Sequence, residues 1–399
     1  MKYEDLSPKP DFSSIHEEVS KFWKDEKIFE KSVAKEAPEV VFYDGPPFPT
    51  GKPHHGTVLV SFIKDLIARY WTMRGYSVPR TWGWDCHGLP IENQAETLLG
   101  ITDKNQIEQS LGIDQFNQKC FEIVSNNNEA WKQYIDQMAR WVDYDNAYKT
   151  MTPNFMESVM WAFKTCYDKG LIYKDYRVTP YCTHCETSLS ISDTRESDST
   201  RPRQDRWVAV KFRTELERNG KPVYFLAWTT TPWTLPSNLC LAVGEKLTYA
   251  FVEVGEEVLV AGKDTLKNFK NVFGAEPNIV DECDGAALVG NRYEPLFPYF
   301  ANLAEQGAFR VVAADYVGAE EGVGIVHTAP AFGEDDYWTC KNNGIPLVNP
   351  VDTKGRFTSE ITDFFPLQGE KNVIEMNPII IRFLYENKKA VADGTIEHN

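Results

Sequence analysis

The chain has 399 residues, 42% of them hydrophobic, and 58 acidic against 42 basic side chains give it a formal charge of -16. At about 100–200 residues per domain, this length calls for two or three domains with ample core and excludes a disulfide-stapled mini-protein, while the acid excess excludes a general nucleic-acid coat. No apolar run reaches the roughly 18–20 residues that span a bilayer, and MKYEDLSPKPDF has neither the basic start nor the apolar stretch of a secretory signal, so the eight cysteines read as reduced thiols or metal ligands in a cytoplasmic setting.

From Ser13, the residues Ile15, Val19, Phe22 and Trp23 recur at helical spacing, which predicts an amphipathic helix with Ser14 as N-cap and Glu17 at the capping-box position. Glu39 to Tyr43 is a β-branched and aromatic run that predicts a strand, stopped by Asp44-Gly45-Pro46-Pro47-Phe48-Pro49-Thr50-Gly51. A second helix is predicted from Thr57, with Leu59, Phe62, Ile63, Leu66 and Tyr70 on its apolar face, a stop at Gly75 and an extended piece at Ser77-Val78-Pro79. Strand, loop, helix, strand is a βαβ unit. It puts the loop at the carboxyl edge of a parallel sheet and at a helix N-terminus, where backbone N–H groups favour an anion. In that loop His54, His55, Gly56 and Thr57 offer donors suited to phosphate oxygens, although a His pair that merely caps the helix fits the same letters. Asp85, just past the next strand, is placed to hold a substrate ammonium or to cap the helix at Ile91 to Leu99. The middle, about residues 102–169, reads as helical, with Trp131, Tyr134, Met138 and Trp141 as core.

Cys182-Thr183-His184-Cys185 is a CxxC, a spacing that lets two thiolates reach one zinc ion while a tight turn offers N–H groups to the sulfurs. Structural zinc wants four ligands. The other cysteines are scattered singly, and His184 inside the CxxC is awkward as a third donor. Between about Asp205 and Leu367 the texture changes to short β-rich runs: Arg206 to Phe212, Val223 to Trp228, Tyr249 to Val254, Val258 to Val260 and Phe309 to Ala313. A closed or sandwiched β domain inserted into an α/β fold follows. Two loops in it stand out. Ala227 to Asn238 sets Thr229, Thr230 and Thr231 between two indoles, and Gly322 to Asp336 sets His327 nine residues before Asp336. Each alone is also what an ordinary strand and turn carry.

The string DGPPFPTGKPHHGT, followed by IKDLIARYWTMRGY and GWDCHGLPIE, resembles the class I aminoacyl-tRNA synthetases, and within them the isoleucyl branch, with HGLPIE as the discriminating text. The resemblance implies that His54, Gly56 and Thr57 contact ATP with its Mg2+, that Gly45 and Pro46 line the aminoacyl-adenylate pocket, and that Asp85 holds the α-ammonium of isoleucine. Thr57 stands where the family's HIGH signature has its second His; a hydroxyl can still donate there. The implied reaction is attack of the isoleucine carboxylate on the α-phosphorus of ATP, which positioning and electrostatics can carry without an acid or base, followed by transfer to tRNA(Ile). No KMSKS-like lysine loop occurs in the sequence, so the resemblance implies an N-terminal piece with half of an activation site, and Cys182 and Cys185 as half of a Zn2+ site.

The two loops of the insertion resemble the editing domain of the isoleucyl, valyl and leucyl enzymes. That domain hydrolyses mischarged tRNA, because one methylene supports only about two orders of magnitude of discrimination, a limit established on the isoleucyl enzymes themselves. The resemblance assigns Asp336 to the substrate ammonium, Thr229, Thr230 and Thr231 to the pocket around ester and adenosine, and His327 to steric exclusion of isoleucine. With no Ser or Cys triad evident, a positioned water and the ribose of the tRNA are expected to do the chemistry. The implied layout is a Rossmann-like parallel-sheet nucleotide-binding half over residues 1–175, a zinc-ribbon-like linker over 176–204, a β-barrel-like editing domain over 205–370 and a return segment over 371–399. It implies a cytoplasmic monomer with isoleucine, ATP and tRNA(Ile) as partners and no membrane. A free-standing hydrolase acting in trans on mischarged tRNA, and a valyl specificity, stay open as alternatives.

Overall fold

The computed structural model describes residues 9–126, 128–195, 199–320, 322–364 and 367–398. It divides at Lys174/Asp175 into two compact units. In chain order the first contains α1 (Phe12–Asp25), α2 (Ile28–Val33), α3 (His55–Met73), β1 (Thr81–Trp84), α4 (Leu89–Leu99), α5 (Ile113–Asn126), α6 (Asn128–Gln137), β2 (Asp143–Lys149) and α7 (Pro153–Asp168). β1 and β2 pair in parallel, with α4 to α6 in the crossover between them. The strand β2 lies inside the stretch expected to be helical. Its sequence, DYDNAYK, carries little apolar signal, and pairing with the buried β1 decides its state.

Other expectations for this unit change in the same way. The N-cap of α1 is Asp11, whose carboxylate accepts from the Ser13 and Ser14 N–H groups at 3.1 and 3.3 Å, so an anion takes the place expected for the Ser14 hydroxyl. Residues 39–43 form no strand beyond one parallel bridge between Glu39 and Ser77, with Val40 N donating to Ser77 O at 2.9 Å; no second neighbour pairs with them among the described residues. On α3 the face carrying Leu59, Phe62, Ile63, Leu66 and Tyr70 is exposed, and the buried positions are Ser61 and Ala68. The core of the unit lies elsewhere, around Trp82, Trp84, Ile91, Val124, Trp131 and Ile135. Trp131 is buried there as expected, with Tyr134 packed against it, whereas Trp141 instead sandwiches the Arg69 guanidinium with Trp23.

The second unit opens with a hairpin, β3 (Tyr181–Cys182) and β4 (Thr187–Ser188), and the short α8 (Ile191–Thr194). Then come β5 (Arg203–Arg218), β6 (Lys221–Thr229), β7 (Cys240–Val243), β8 (Thr248–Val254), β9 (Glu257–Gly262), α9 (Lys270–Phe273), β10 (Ile279–Asp284), β11 (Arg310–Ala313), β12 (Ile325–Thr328), α10 (Glu334–Asn342), α11 (Asn377–Glu386) and β13 (Ala390–His398). Six strands form one sheet in the order β10-β8-β9-β6-β5-β13, and three form another in the order β11-β7-β12. All five runs expected to be strands fall on β5, β6, β8, β9 and β11. Part of the segment expected as a loop, Ile325 to Thr328, is instead the strand β12, bonded to β7. Residues 371–398, expected as a return segment, supply α11 and β13, and β13 runs antiparallel to β5 from Ala390↔Val210 to His398↔Arg203. Its main core contains Val208, Val210, Phe212, Phe225, Leu241, Phe251, Val260 and Ile380, and a second cluster holds Leu226, Val252, Leu259 and Phe269. No helix among the described residues is long and apolar enough to cross a membrane.

Candidate active sites

The loop from Asp44 to His54 has almost no regular structure of its own, and side chains from elsewhere in the first unit fix it. The buried Asp44 carboxylate pairs with both Lys64 and Arg140. Lys64 Nζ also donates to Gly45 O at 2.8 Å, Tyr148 OH to Asp44 O at 3.3 Å, Asp85 N to Pro47 O at 3.0 Å and Trp131 Nε1 to Gly51 O at 3.3 Å. Gly83 on β1 has a specific reason to be glycine, since a Cβ there would stand 2.2 Å from the Tyr148 ring. Around Gly45 the space is open, and Pro46 is half-buried beside it.

At the loop's end His54 is the N-cap of α3. Its Nδ1 accepts from Gly56 N at 3.1 Å, and its own N–H donates to Thr57 Oγ1 at 3.4 Å, which closes a capping box. The structural use of this motif is therefore real, and it leaves chemistry available. An Nδ1 that accepts leaves the neutral ring's proton on Nε2, as a donor, and a Thr57 hydroxyl that accepts keeps its own O–H to give. Gly56 fits under the imidazole because a Cβ would approach His54 Cε1 to 2.9 Å. Exposed donors at the start of a 19-residue helix suit an anion. Asp85 follows β1 directly and is half-buried; the cap of α4 is Gly88, so the capping alternative for Asp85 falls away.

Cys182 and Cys185 sit at the β3–β4 hairpin, where Cys185 N donates to Cys182 Sγ at 3.3 Å, the contact a thiolate pair would use. His184 is exposed. Among the described residues no group of three or more His, Cys, Asp or Glu stands where it could hold a metal ion, so the donors present do not make up the four that structural zinc takes.

In the second unit the two unusual loops meet. Thr229 ends β6, the chain turns through a short 3-10 helix from Pro232 to Ser237, and His327 lies on β12. Thr234 Oγ1 and His327 Nε2 are 2.9 Å apart, and the Trp233 and Phe332 rings pack edge to face with centroids 4.7 Å apart. Thr231 Oγ1 lies 3.3 Å from Thr234 Oγ1 and 3.1 Å from Thr229 Oγ1, and Thr231 N donates to Thr229 Oγ1 at 3.0 Å. Thr230 is half-buried, and its hydroxyl has no partner among the described residues. On the far side of His327, Asn238 Nδ2 stands 2.8 Å from Nδ1 and donates to Cys240 O at 2.9 Å.

Both ring nitrogens of His327 are thus engaged. Burial pushes its pKa down to about 3, so the ring is neutral at physiological pH and has no lone pair to spare as a general base. Asp336, in the first turn of α10, accepts from Ala329 N at 2.8 Å. Burial raises its pKa to about 6 against the opposing pull of that N–H, a carboxylate that gains from a cationic partner.

The description "tRNA synthetases class I (I, L, M and V)" belongs to a family model that matches residues 18–342. The chain belongs to the class I tRNA synthetases. An isoleucine–tRNA ligase of Corynebacterium diphtheriae is 45% identical over 97% of this chain and 38% of its own length, and one of Mycobacterium tuberculosis (strain CDC 1551 / Oshkosh) is 46% identical over 94% of this chain and 36% of its own. The synthetase chain therefore spans less than two fifths of these relatives. The solved structure GlLeuRS-CP1 matches 47% of this chain and 99% of its own at 15% identity, with a TM-score of 0.35. Two polar residues of the second candidate site, Thr234 and Asn238, have no role assigned in the sequence. Both lie inside the conspicuous loop, and only the folded position of His327 singles them out.

Proposed function

We propose that this chain carries the isoleucine-activating loop and the editing site of an isoleucine–tRNA ligase, an enzyme that joins isoleucine to tRNA(Ile) at the expense of ATP with Mg2+ and hydrolyses mischarged valyl-tRNA(Ile). The observation that carries the editing half is the meeting of the threonine loop with His327, on a strand whose next turn, at Ala329 N, is held by Asp336, with no unengaged imidazole there among the described residues. In this reading Asp336 holds the α-ammonium, His327 fills the space a longer side chain would need, and the Thr230 hydroxyl orients a water. That water attacks the ester carbonyl carbon, the bond to the ribose oxygen breaks, and the proton ends on the ribose. The first unit supplies Nε2–H of His54, the Thr57 hydroxyl and backbone N–H groups to phosphate oxygens, with Gly45 and Pro46 beside the adenylate and Asp85 on the amino group of isoleucine. The finer architecture belongs to the same proposal: a barrel-like closure of the two sheets, a zinc-ribbon-like hairpin at Cys182 and Cys185, and a cytoplasmic monomer.

The test measures two activities of this chain. Deacylation of valyl-tRNA(Ile), slowed at least tenfold by Asp336→Ala, supports the editing assignment, and an Asp336→Ala protein as active as the parent sinks it. Isoleucine-dependent pyrophosphate exchange is expected to be slow, since no KMSKS-like lysine loop occurs in the sequence. Exchange at the rate of a complete synthetase would overturn the half-site reading of the first unit.

A further inference from the structure

His327 is held by more than the loop beside it. Tyr293, which is 5% exposed and enclosed by the rings of Phe212 and Phe309, donates its hydroxyl to Asn238 Oδ1 at 2.6 Å. The protons along this chain of contacts are determined. Cys240 O can only accept, so the Asn238 group facing it is Nδ2, and that amide has its two hydrogens on Cys240 O and His327 Nδ1. Nδ1 then accepts, and Nε2 carries the ring proton and gives it to Thr234 Oγ1. Thr234 in turn donates to Thr231 O at 2.9 Å. An amide turned over would set its one oxygen against both the Cys240 carbonyl and the ring nitrogen, and its NH2 against the Tyr293 hydroxyl. Tyr293 is a permanent donor on the Oδ1 side, because burial raises its pKa and holds the phenol protonated.

We propose that Tyr293 is a positioning residue for the editing site: through Asn238 it locks His327 in the Nε2–H tautomer and one ring orientation, and so fixes the wall that separates a smaller from a larger aliphatic side chain. The proposal rests on the deacylase reading for its functional consequence, and on geometry alone for the tautomer. A buried hydrogen bond whose loss strands an amide oxygen acts on a site two residues away through orientation and not through contact with the substrate.

The experiment is side-chain 15N NMR of the histidines of this chain, with the His327 signals assigned by their loss in His327→Gln. The parent is expected to show a bare Nδ1 and a protonated Nε2. Tyr293→Phe, which removes only the hydroxyl, is expected to give averaged or exchanged nitrogen signals for His327, and to raise the ratio of isoleucyl- to valyl-tRNA(Ile) hydrolysis roughly five- to tenfold. Tyr249→Phe removes an equally buried hydroxyl that donates to Gly324 O at 2.7 Å and is expected to change neither readout. A Tyr293→Phe protein with the parent's nitrogen pattern and ratio overturns the proposal. Should that variant fail to fold, Asn238→Asp replaces the donor on Nδ1 with an acceptor and must draw a proton to Nδ1; a bare Nδ1 there overturns it equally. If the parent hydrolyses neither ester, the deacylase reading fails while the nitrogen pattern still decides the role of Tyr293.

Discussion

Phe62 on α3 is 58% exposed and Phe212 on β5 is 0% exposed, although the periodicity around each marks it as a core residue. The first unit leaves much of its apolar patterning in solvent, including Trp161 and Phe163 on α7, and buries a compact aromatic cluster around Trp82, Trp84 and Trp131. The second buries its strands' apolar residues in two clusters, the larger containing Val208 and Ile380. Their sites differ in the same sense. The donors of the first, His54 and Thr57, each keep a proton not used in the capping box at a helix start, whereas His327 in the second has both nitrogens committed. Hydrophobic periodicity thus reports which face is apolar, and the neighbours decide whether that face is covered.

Substitutions can break this comparison. The largest effect is expected in the closed core: Phe212→Ala should cost about 3–5 kcal/mol in denaturant unfolding of the second unit, while Phe62→Ala should stay within about 0.5 kcal/mol. Equal costs would mean that the exposed face of α3 is covered in solution. Next comes Asp44→Asn, which leaves Lys64 and Arg140 facing each other without a buried anion and should destabilise the first unit by about 3 kcal/mol. Its unfolding midpoint should drop while that of the second unit holds.

For the second site, Asp336→Ala removes the carboxylate proposed to hold the ammonium and should slow valyl-tRNA(Ile) hydrolysis by roughly 10- to 100-fold. The raised pKa sharpens this expectation. In the proposed role only the carboxylate form would bind the ammonium, so kcat/KM should be half-maximal near pH 6 and fall as the pH drops further; an inflection near the ordinary carboxylate value of about 4 would contradict the burial of Asp336. The smallest effect is that of Thr57→Ala, which deletes half of a capping box at an exposed helix end and should cost about 1 kcal/mol or less by thermal unfolding, with phosphate binding weakened alongside.

Legibility in the sequence follows the same physics. Strands β5, β6, β8, β9 and β11 are readable because β-branched and aromatic runs coincide with burial, and β2 is not, because its state is set by the partner strand β1. The existence of α3 is readable and its buried side is not, since Ser61 and Ala68 carry no hydrophobic signal. In the second site Thr229, Thr230, Thr231, His327 and Asp336 stand out as motif residues. Tyr293 does not: it lies 55 residues beyond Asn238 in sequence, and no spacing rule links a tyrosine hydroxyl to a distant amide.

The pairing of Arg203 with His398 has an evolutionary consequence. The path into the strands of the second unit and the path out of them lie side by side, about 5 Å apart as neighbouring strands must be. A host protein that receives such a segment has to open its own chain at one point only and by the spacing of two neighbouring strands. A segment whose two ends meet in this way can be joined into another chain at a single opening, leaving its own strands intact.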